Sequence, residues 1–426
     1  MIPVPNMPDV TIQPGLSLEP FRAVRYAPSK VTSLAAVTSP PYDLIDEEAL
    51  NQFMSDEPHN IVRLILPQQD YGDAAGTLRS WLAAGILTVD PEPALYVYEE
   101  EAGDGILQRG LIGALGVHGP ESRVILPHED VYPGPVRDRL ALMSATEANL
   151  EPIFLLYEGG NASAASRLVD EVASSAPPLL ETRTIDDVRH RLWAVRDPAV
   201  HAAVAADLRE RQALIADGHH RYATYQALRD RYAGAGPWDY GLALLVDSHA
   251  YPPRLGAIHR VIPGLDVSDA ARRASVAFKV SGLGTDLAPA LDRLSSHDGT
   301  AFLLGGEEGL FLLTDPDPGQ LAEAMPDEAS ERWCGLDTAV LHRLLIPRLW
   351  GIEDDEANVR IVHHDAARAL KKARRRNGTA VILNPLKVPD VLAVAAGGEK
   401  VPRKSTSFGP KPRTGLVLRT FAAEQG

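Results

Sequence analysis

Five consecutive positions, Asp217-Gly218-His219-His220-Arg221, hold an acid, a glycine, two titratable rings and a guanidinium. They follow an apolar run, Ala213 to Ala216, and precede Tyr222, Tyr225 and Leu228 at helical spacing. The stretch therefore predicts a strand, a sharp glycine turn and a helix that opens on the polar residues. A helix start exposes unpaired N–H groups at the positive end of its dipole and attracts phosphate or carboxylate. Gly218 lets an anion approach the backbone. Arg221 offers a forked donor, His219 and His220 can donate, and Asp217 can take a proton or hold a cation. The plain alternative is a capped helix with polar surface residues.

A second stretch, Ile125-Leu126-Pro127-His128-Glu129-Asp130, ends a strand on a proline-led turn. Glu129 is a candidate general base, and His128 a candidate orienting or phosphate-binding group. A solvated loop would read the same way. The third is the tail, Val401-Pro402-Arg403-Lys404-Ser405-Thr406-Ser407-Phe408-Gly409-Pro410-Lys411-Pro412-Arg413-Thr414. Four cations interleaved with hydroxyls, in a chain of net charge −15, predict a local anion-attracting patch. An exposed basic loop is the alternative.

The elements that must position these residues follow from periodicity and turn chemistry. Residues 1–20 predict a loose arm, and Pro40-Pro41-Tyr42-Asp43 a stiff turn that either faces a substrate or only anchors itself. Asp43 or Asp46 is expected to cap a helix from Glu47. Ile61–Leu66 reads as a strand. Leu95–Glu99 and Arg109–Val117 read as strands joined at Gly103-Asp104-Gly105. A helix is expected to open near Arg137, and Leu336–Ile346 to form an amphipathic helix stopped by Pro347. His259, in the short strand Ile258–Ile262, is either a satisfied core histidine or a site residue.

With 426 residues and 45% hydrophobic content the chain can build two or three globular segments. The negative charge disfavours nucleic acid. One cysteine, Cys334, leaves no internal disulfide and fits a reducing cytoplasm. The opening stretch lacks a basic region followed by an apolar run, and no apolar run spans a bilayer, so neither a signal peptide nor a membrane partner is expected. There is no repeat, Walker A or Gly-x-Ser-x-Gly motif.

These motifs together resemble a widespread, long-uncharacterised family of bacterial and archaeal proteins known as a domain of unknown function. The matching residues are Pro40-Pro41-Tyr42-Asp43, His128-Glu129 with Asp138-Arg139, Ala216 to Tyr222, His259-Arg260, Lys404-Ser405-Thr406, Pro410-Lys411 and Gly415-Leu416. Gly409 and Pro412-Arg413 depart from the commoner tail. The His-Glu turn and the Asp-Gly-His-His-Arg strand end are also similar to the ParB/sulfiredoxin-like fold, most of all to its free-serine kinases. That resemblance implies an α/β (α+β) fold with a mixed-sheet ParB-like core at 96–235. An N-terminal α/β segment would occupy 1–95, and a C-terminal α/β segment with the basic tail 236–426. It further implies Glu129 as base, with Asp217 and His128 catalytic, and Asp217 as the carboxylate on either the magnesium side or the hydroxyl side. Gly218, His219, His220, Arg221, Lys404, Ser405, Thr406 and Lys411 would hold nucleotide phosphates. Tyr42, Asp43, Arg139, His259 and Arg260 would face the substrate. The Glu129 to Asp217 spacing is longer than in a minimal domain of that kind.

The favoured expectation is a cytoplasmic kinase that uses Mg2+ with ATP or ADP on a small hydroxyl compound, free L-serine first. A homodimer is compatible with it. Two alternatives stand beside it. One is a metal-dependent phosphohydrolase using His128, Glu129, Asp217, His219, His220 and His259 as ligands. The other is a non-catalytic nucleotide-binding regulatory protein.

Overall fold

The computed structural model describes residues 15–103, 105–160, 163–232, 234–355 and 357–424. The chain forms two compact units. The first takes the chain up to Pro127, Val131–Pro253 and the segment from Pro410; the second takes His128–Asp130 and Arg254–Gly409.

The first unit is built on a mixed sheet of nine strands among the described residues. Its order is Ile125–Leu126, Ala213–Asp217, Ile153–Tyr157, Tyr240–Asp247, Gly105–Gly116, Leu95–Ala102, Arg189–Val195 and Leu180–Arg183, with Leu18–Glu19 also on Gly105–Gly116. Ala213–Asp217 runs parallel to Ile125–Leu126, and Tyr240–Asp247 parallel to Ile153–Tyr157; the remaining pairs are antiparallel. The α/β class and mixed sheet expected from the sequence are thus present. Ala213–Asp217 is buried along its length, which is why it reads as a continuous apolar run rather than an alternating one. The helix His219–Arg231 buries Arg221, Tyr222, Thr224, Tyr225 and Leu228, a single helical stripe.

The second unit carries a six-stranded antiparallel sheet in the order Lys279–Gly282, Leu310–Thr314, Ala301–Gly305, Thr379–Leu383, Ile258–Ile262 and Arg360–His363. Alternation divides its side chains between two cores. Ile262, Phe302, Leu304, Leu313, Val381 and Leu383 line one face; Val261, Leu303, Leu312, Ala380 and Ile382 line the other. Both faces are covered by helices, so both sets of residues are apolar.

Several local expectations need correcting. Ile61–Leu66 is not a strand; Val62–Ile65 is a helical turn, with Asn60 Oδ1 accepting from the Val62 N–H at 3.0 Å. A short buried apolar run has no period to distinguish the two, and here the asparagine cap decides. Pro347 does not stop its helix. The helical turn Asp337–Val340 widens into Leu341–Leu349 with Pro347 inside, and the Trp350 N–H reaches the Leu345 carbonyl five residues back at 3.0 Å. Residues 16–20 are not a loose arm, because Leu16 and Leu18 are buried and Leu18–Glu19 joins the sheet. Residues 1–14 and Asp104 lie outside the described residues. The helix near Arg137 begins at Pro133, a favoured first-turn position for proline.

Candidate functional site

The residues singled out by sequence fall into two groups, one in each unit. In the first unit the strand Ala213–Asp217 shifts register between Ile215 and Asp217. Such a shift re-aims the side chain that follows it. Gly218 then turns the chain at φ +97, and a Cβ there would lie 2.7 Å from Ile153 Cγ2. Only glycine satisfies both the dihedral and the packing.

Past that turn, the charged groups pair with one another. Asp217 Oδ2 accepts from Arg221 Nη2 at 2.6 Å, and Asp217 Oδ1 contacts the Lys411 ammonium. Lys411 Nζ also donates to Asp43 Oδ2 at 2.7 Å, and its side chain is 9% exposed. Burial works against the ammonium charge, but Asp217 and Asp43 outweigh it and raise the Lys411 pKa. Arg221 is 2% exposed and also donates to the Pro152 carbonyl at 2.8 Å. Burial opposes its charge as well, and Glu151 and Asp217 overcome that, so its pKa rises.

Tyr42 lies under two guanidinium groups, with Arg139 at 4.5 Å and Arg221 at 5.8 Å from its ring centre. Burial pushes its hydroxyl up to about 12. Arg139 donates to Asp138 Oδ2 at 2.7 Å and to the Ile65 carbonyl at 2.7 Å. His220 stacks on Tyr132, and its Nε2 accepts from the Tyr132 N–H at 3.1 Å. An accepting Nε2 places the proton on Nδ1. His219 is half-buried in the helix's first turn.

Sequence reasoning missed Glu151. It is 4% exposed, and its Oε1 accepts from the Tyr42 N–H at 3.0 Å and from Thr414 Oγ1 at 3.1 Å. The signal available was a lone acid inside the apolar run Leu150-Glu151-Pro152-Ile153.

In the second unit the chain 403–406 forms a clamped turn. Lys404 adopts φ +52, uncommon for a residue with a side chain. Arg260 Nη2 donates to the Lys404 carbonyl at 2.8 Å. On the other side of the turn, Glu129 Oε1 accepts from the Ser405 N–H at 3.2 Å, the Thr406 N–H at 3.2 Å and Thr406 Oγ1 at 2.7 Å. The threonine hydroxyl has one hydrogen and gives it to Glu129. His128 Nε2, 2.7 Å from the same oxygen, must therefore donate. His128 is fully buried edge-on to Phe408, so it orients Thr406 and meets no solvent. Among the described residues no hydrogen bond reaches Glu129 Oε2.

Behind the turn is a cavity of about 270 Å³ lined by Arg260, His342, Val359, Arg360, Ile361, Arg403 and Lys404. His342 Nε2 lies 3.1 Å from Arg260 Nη2, a donor, so it accepts and His342 is neutral. Its Nδ1–H then donates to Asp354. Burial holds the His342 pKa below the usual value, in agreement with that tautomer. Asp354 also takes Arg403 Nη2 at 2.8 Å. Burial opposes its charge, and His342 and Arg403 nevertheless hold its carboxyl down at about 2. Burial pushes the Arg260 guanidinium down to about 10 against the pull of Asp354 and Glu129. His259 is a core histidine here: buried, its Nδ1 accepts from the Leu383 N–H at 3.3 Å, and burial lowers its pKa to about 4.

A magnesium ion does not fit at Asp217, since both carboxylate oxygens already hold cationic side chains. Among the described residues no three His, Cys, Asp or Glu side chains group as a metal site. No helix of the described residues is long and apolar enough to cross a membrane.

Among solved structures, the chain is similar to SbnI with a C-terminal truncation from Staphylococcus aureus, at 11% identity over 74% of this chain and 89% of that one, with a TM-score of 0.38. It is also similar to a free serine kinase in complex with AMP, at 14% identity over 69% and 88% of the two chains, TM-score 0.35. A conserved hypothetical protein from Pyrococcus furiosus matches at 15% identity over 70% and 92%, TM-score 0.36. Likenesses of this size carry no argument about chemistry. No curated protein matches the chain. A family model described as "Protein of unknown function (DUF1015)" matches residues 18–339, and the chain belongs to that family.

Proposed function

We propose that the protein is a phosphotransferase that moves a phosphoryl group from ATP or ADP to a small hydroxyl compound, with free L-serine the first candidate. The observation that carries this reading is the asymmetry of Glu129. Oε1 is fixed by two amides and a hydroxyl, while Oε2 takes no hydrogen bond among the described residues. That arrangement suits a positioned base. Oε2 takes the hydroxyl proton as the oxygen attacks the terminal phosphorus, and the bond from phosphorus to the departing nucleotide oxygen breaks. Phosphoryl transfer asks a protein mainly for positioning and charge neutralisation. In this reading Thr406, Ser405 and His128 fix the base.

The test is mass-spectrometric detection of a phosphorylated product after incubation with amino acids or polyols, magnesium and either nucleotide. Glu129→Gln keeps an oxygen for the three donors and removes the base. It should lower turnover by roughly 10²–10⁴ while nucleotide affinity holds. A Glu129→Gln protein with unchanged turnover, or no product from either nucleotide, defeats the proposal.

A further inference from the structure

The cavity beside the 403–406 turn has an excess of positive charge. Four cations line it: Arg260, Arg360, Arg403 and Lys404. Asp354 answers Arg403. Glu129 and Asp354 act on Arg260, whose buried guanidinium is otherwise given to the carbonyls of Ile258, Arg403 and Lys404 and to His342. Arg360 and Lys404 make no ion pair or hydrogen bond through their side chains among the described residues. Arg360 is exposed and Lys404 half-buried, so both can reach an entering ligand. Two solvent-reached cations without a carboxylate partner beside a buried guanidinium give the cavity positive charge that an entering anion can meet.

The volume of about 270 Å³ lies just below the ~300–1,000 Å³ of drug-sized pockets, and so suits a small ion or a short anionic molecule. The turn that supplies Lys404 to this cavity supplies the amides that hold Glu129. We infer that the cavity is an anion subsite for a phosphate or carboxylate group, through which the hydroxyl acceptor itself is held. The acceptor is then a small hydroxylated anion rather than a neutral alcohol. This second step rests on the phosphotransferase reading; the anion subsite does not.

Binding is measured on the full chain by titration calorimetry at constant ionic strength, with no nucleotide present. The probes are inorganic phosphate, lactate as a hydroxycarboxylate, and glycerol as the neutral control. Saturable heat is expected with phosphate or lactate and none with glycerol, and the stronger of the two identifies the anionic group. Arg360→Ala and Lys404→Ala should each weaken binding roughly tenfold or more, since each removes a charge-assisted contact. Lys279→Ala, on an exposed strand of the same unit, should leave it unchanged. No saturable binding of either anion, or equal losses in all three variants, overturns the subsite. The two readings fail separately. Anion binding without any phosphorylated product sinks the phosphotransferase and keeps the subsite. Turnover of neutral and anionic acceptors with a KM indifferent to Arg360→Ala and Lys404→Ala keeps the enzyme and sinks the acceptor class.

Discussion

Replacing Lys411 with methionine tests how the corner at Asp217 is held. The side chain is 9% exposed and its ammonium is clasped by Asp43 and Asp217. Methionine keeps most of the volume and removes the charge. Breaking a buried pair from one side costs ~3–5 kcal/mol, because the partner charge stays buried. Two features lower that figure here. Asp43 is 31% exposed in its side chain, and Asp217 keeps Arg221 at 2.6 Å. The expected loss is therefore about 2–3 kcal/mol at pH ~7. The sign of the pH dependence is a second handle. Lys411 has a raised folded pKa, so its contribution is complete below ~10.4 and is lost as pH rises above that value. The gap between the two proteins should therefore hold at neutral pH and shrink above pH ~10.4. Urea denaturation with hydrogen exchange read on peptides covering residues 213–231 reports the local stability. A difference below ~1 kcal/mol at neutral pH refutes the clasp.

Gly218→Ala should cost about 2–3 kcal/mol by thermal or chemical unfolding, combining the positive φ with the contact to Ile153, and a neutral result contradicts the turn described. His259 has a lowered folded pKa, so its contribution is complete above ~6.5 and is lost as pH falls toward about 4. At 1.36 kcal/mol per pH unit that gap is worth about 3 kcal/mol to the second unit, and pH-dependent denaturation that is flat between those values argues against a neutral core ring. Glu129→Ala removes the acceptor of three hydrogen bonds, so it should destabilise the 403–406 turn by about 2 kcal/mol, whereas Glu129→Gln should not; equal Tm values for the two variants would remove the anchoring role.

The corner was legible because every level agreed on it. An apolar run, a glycine and a 3.6-residue stripe at Tyr222, Tyr225 and Leu228 have one common solution, and the structure adopts it. The partners of its charges were not legible. The tail read as one basic patch, yet the units part between Gly409 and Pro410. Lys404 lines the cavity of one unit, while Lys411 is matched by carboxylates in the other. Nothing in composition says which carboxylate a lysine will meet. Asp354 was hidden for a related reason: in Glu353-Asp354-Asp355-Glu356 it looks like any solvated acidic run. His342 sat on a helical stripe, where a histidine usually means packing. Pro347 misled because a wide turn can carry a proline that an ordinary helix cannot.

The two polar clusters differ in what they leave undone. Around Asp217, three cations (Arg139, Arg221 and Lys411) face the carboxylates of Asp43, Asp138, Glu151 and Asp217, and each cation has a partner. Such a cluster holds a shape and has little charge to offer. The cavity of the second unit has four cations against Asp354 and Glu129. One receiving surface there is already filled: consecutive amides at Ser405 and Thr406 form the kind of concavity that binds anions, and Glu129 Oε1 occupies it. An entering anion therefore meets the Arg360, Arg403 and Lys404 side chains and not the turn's amides. That is why the side-chain variants, and not the backbone of the turn, decide whether this cavity binds.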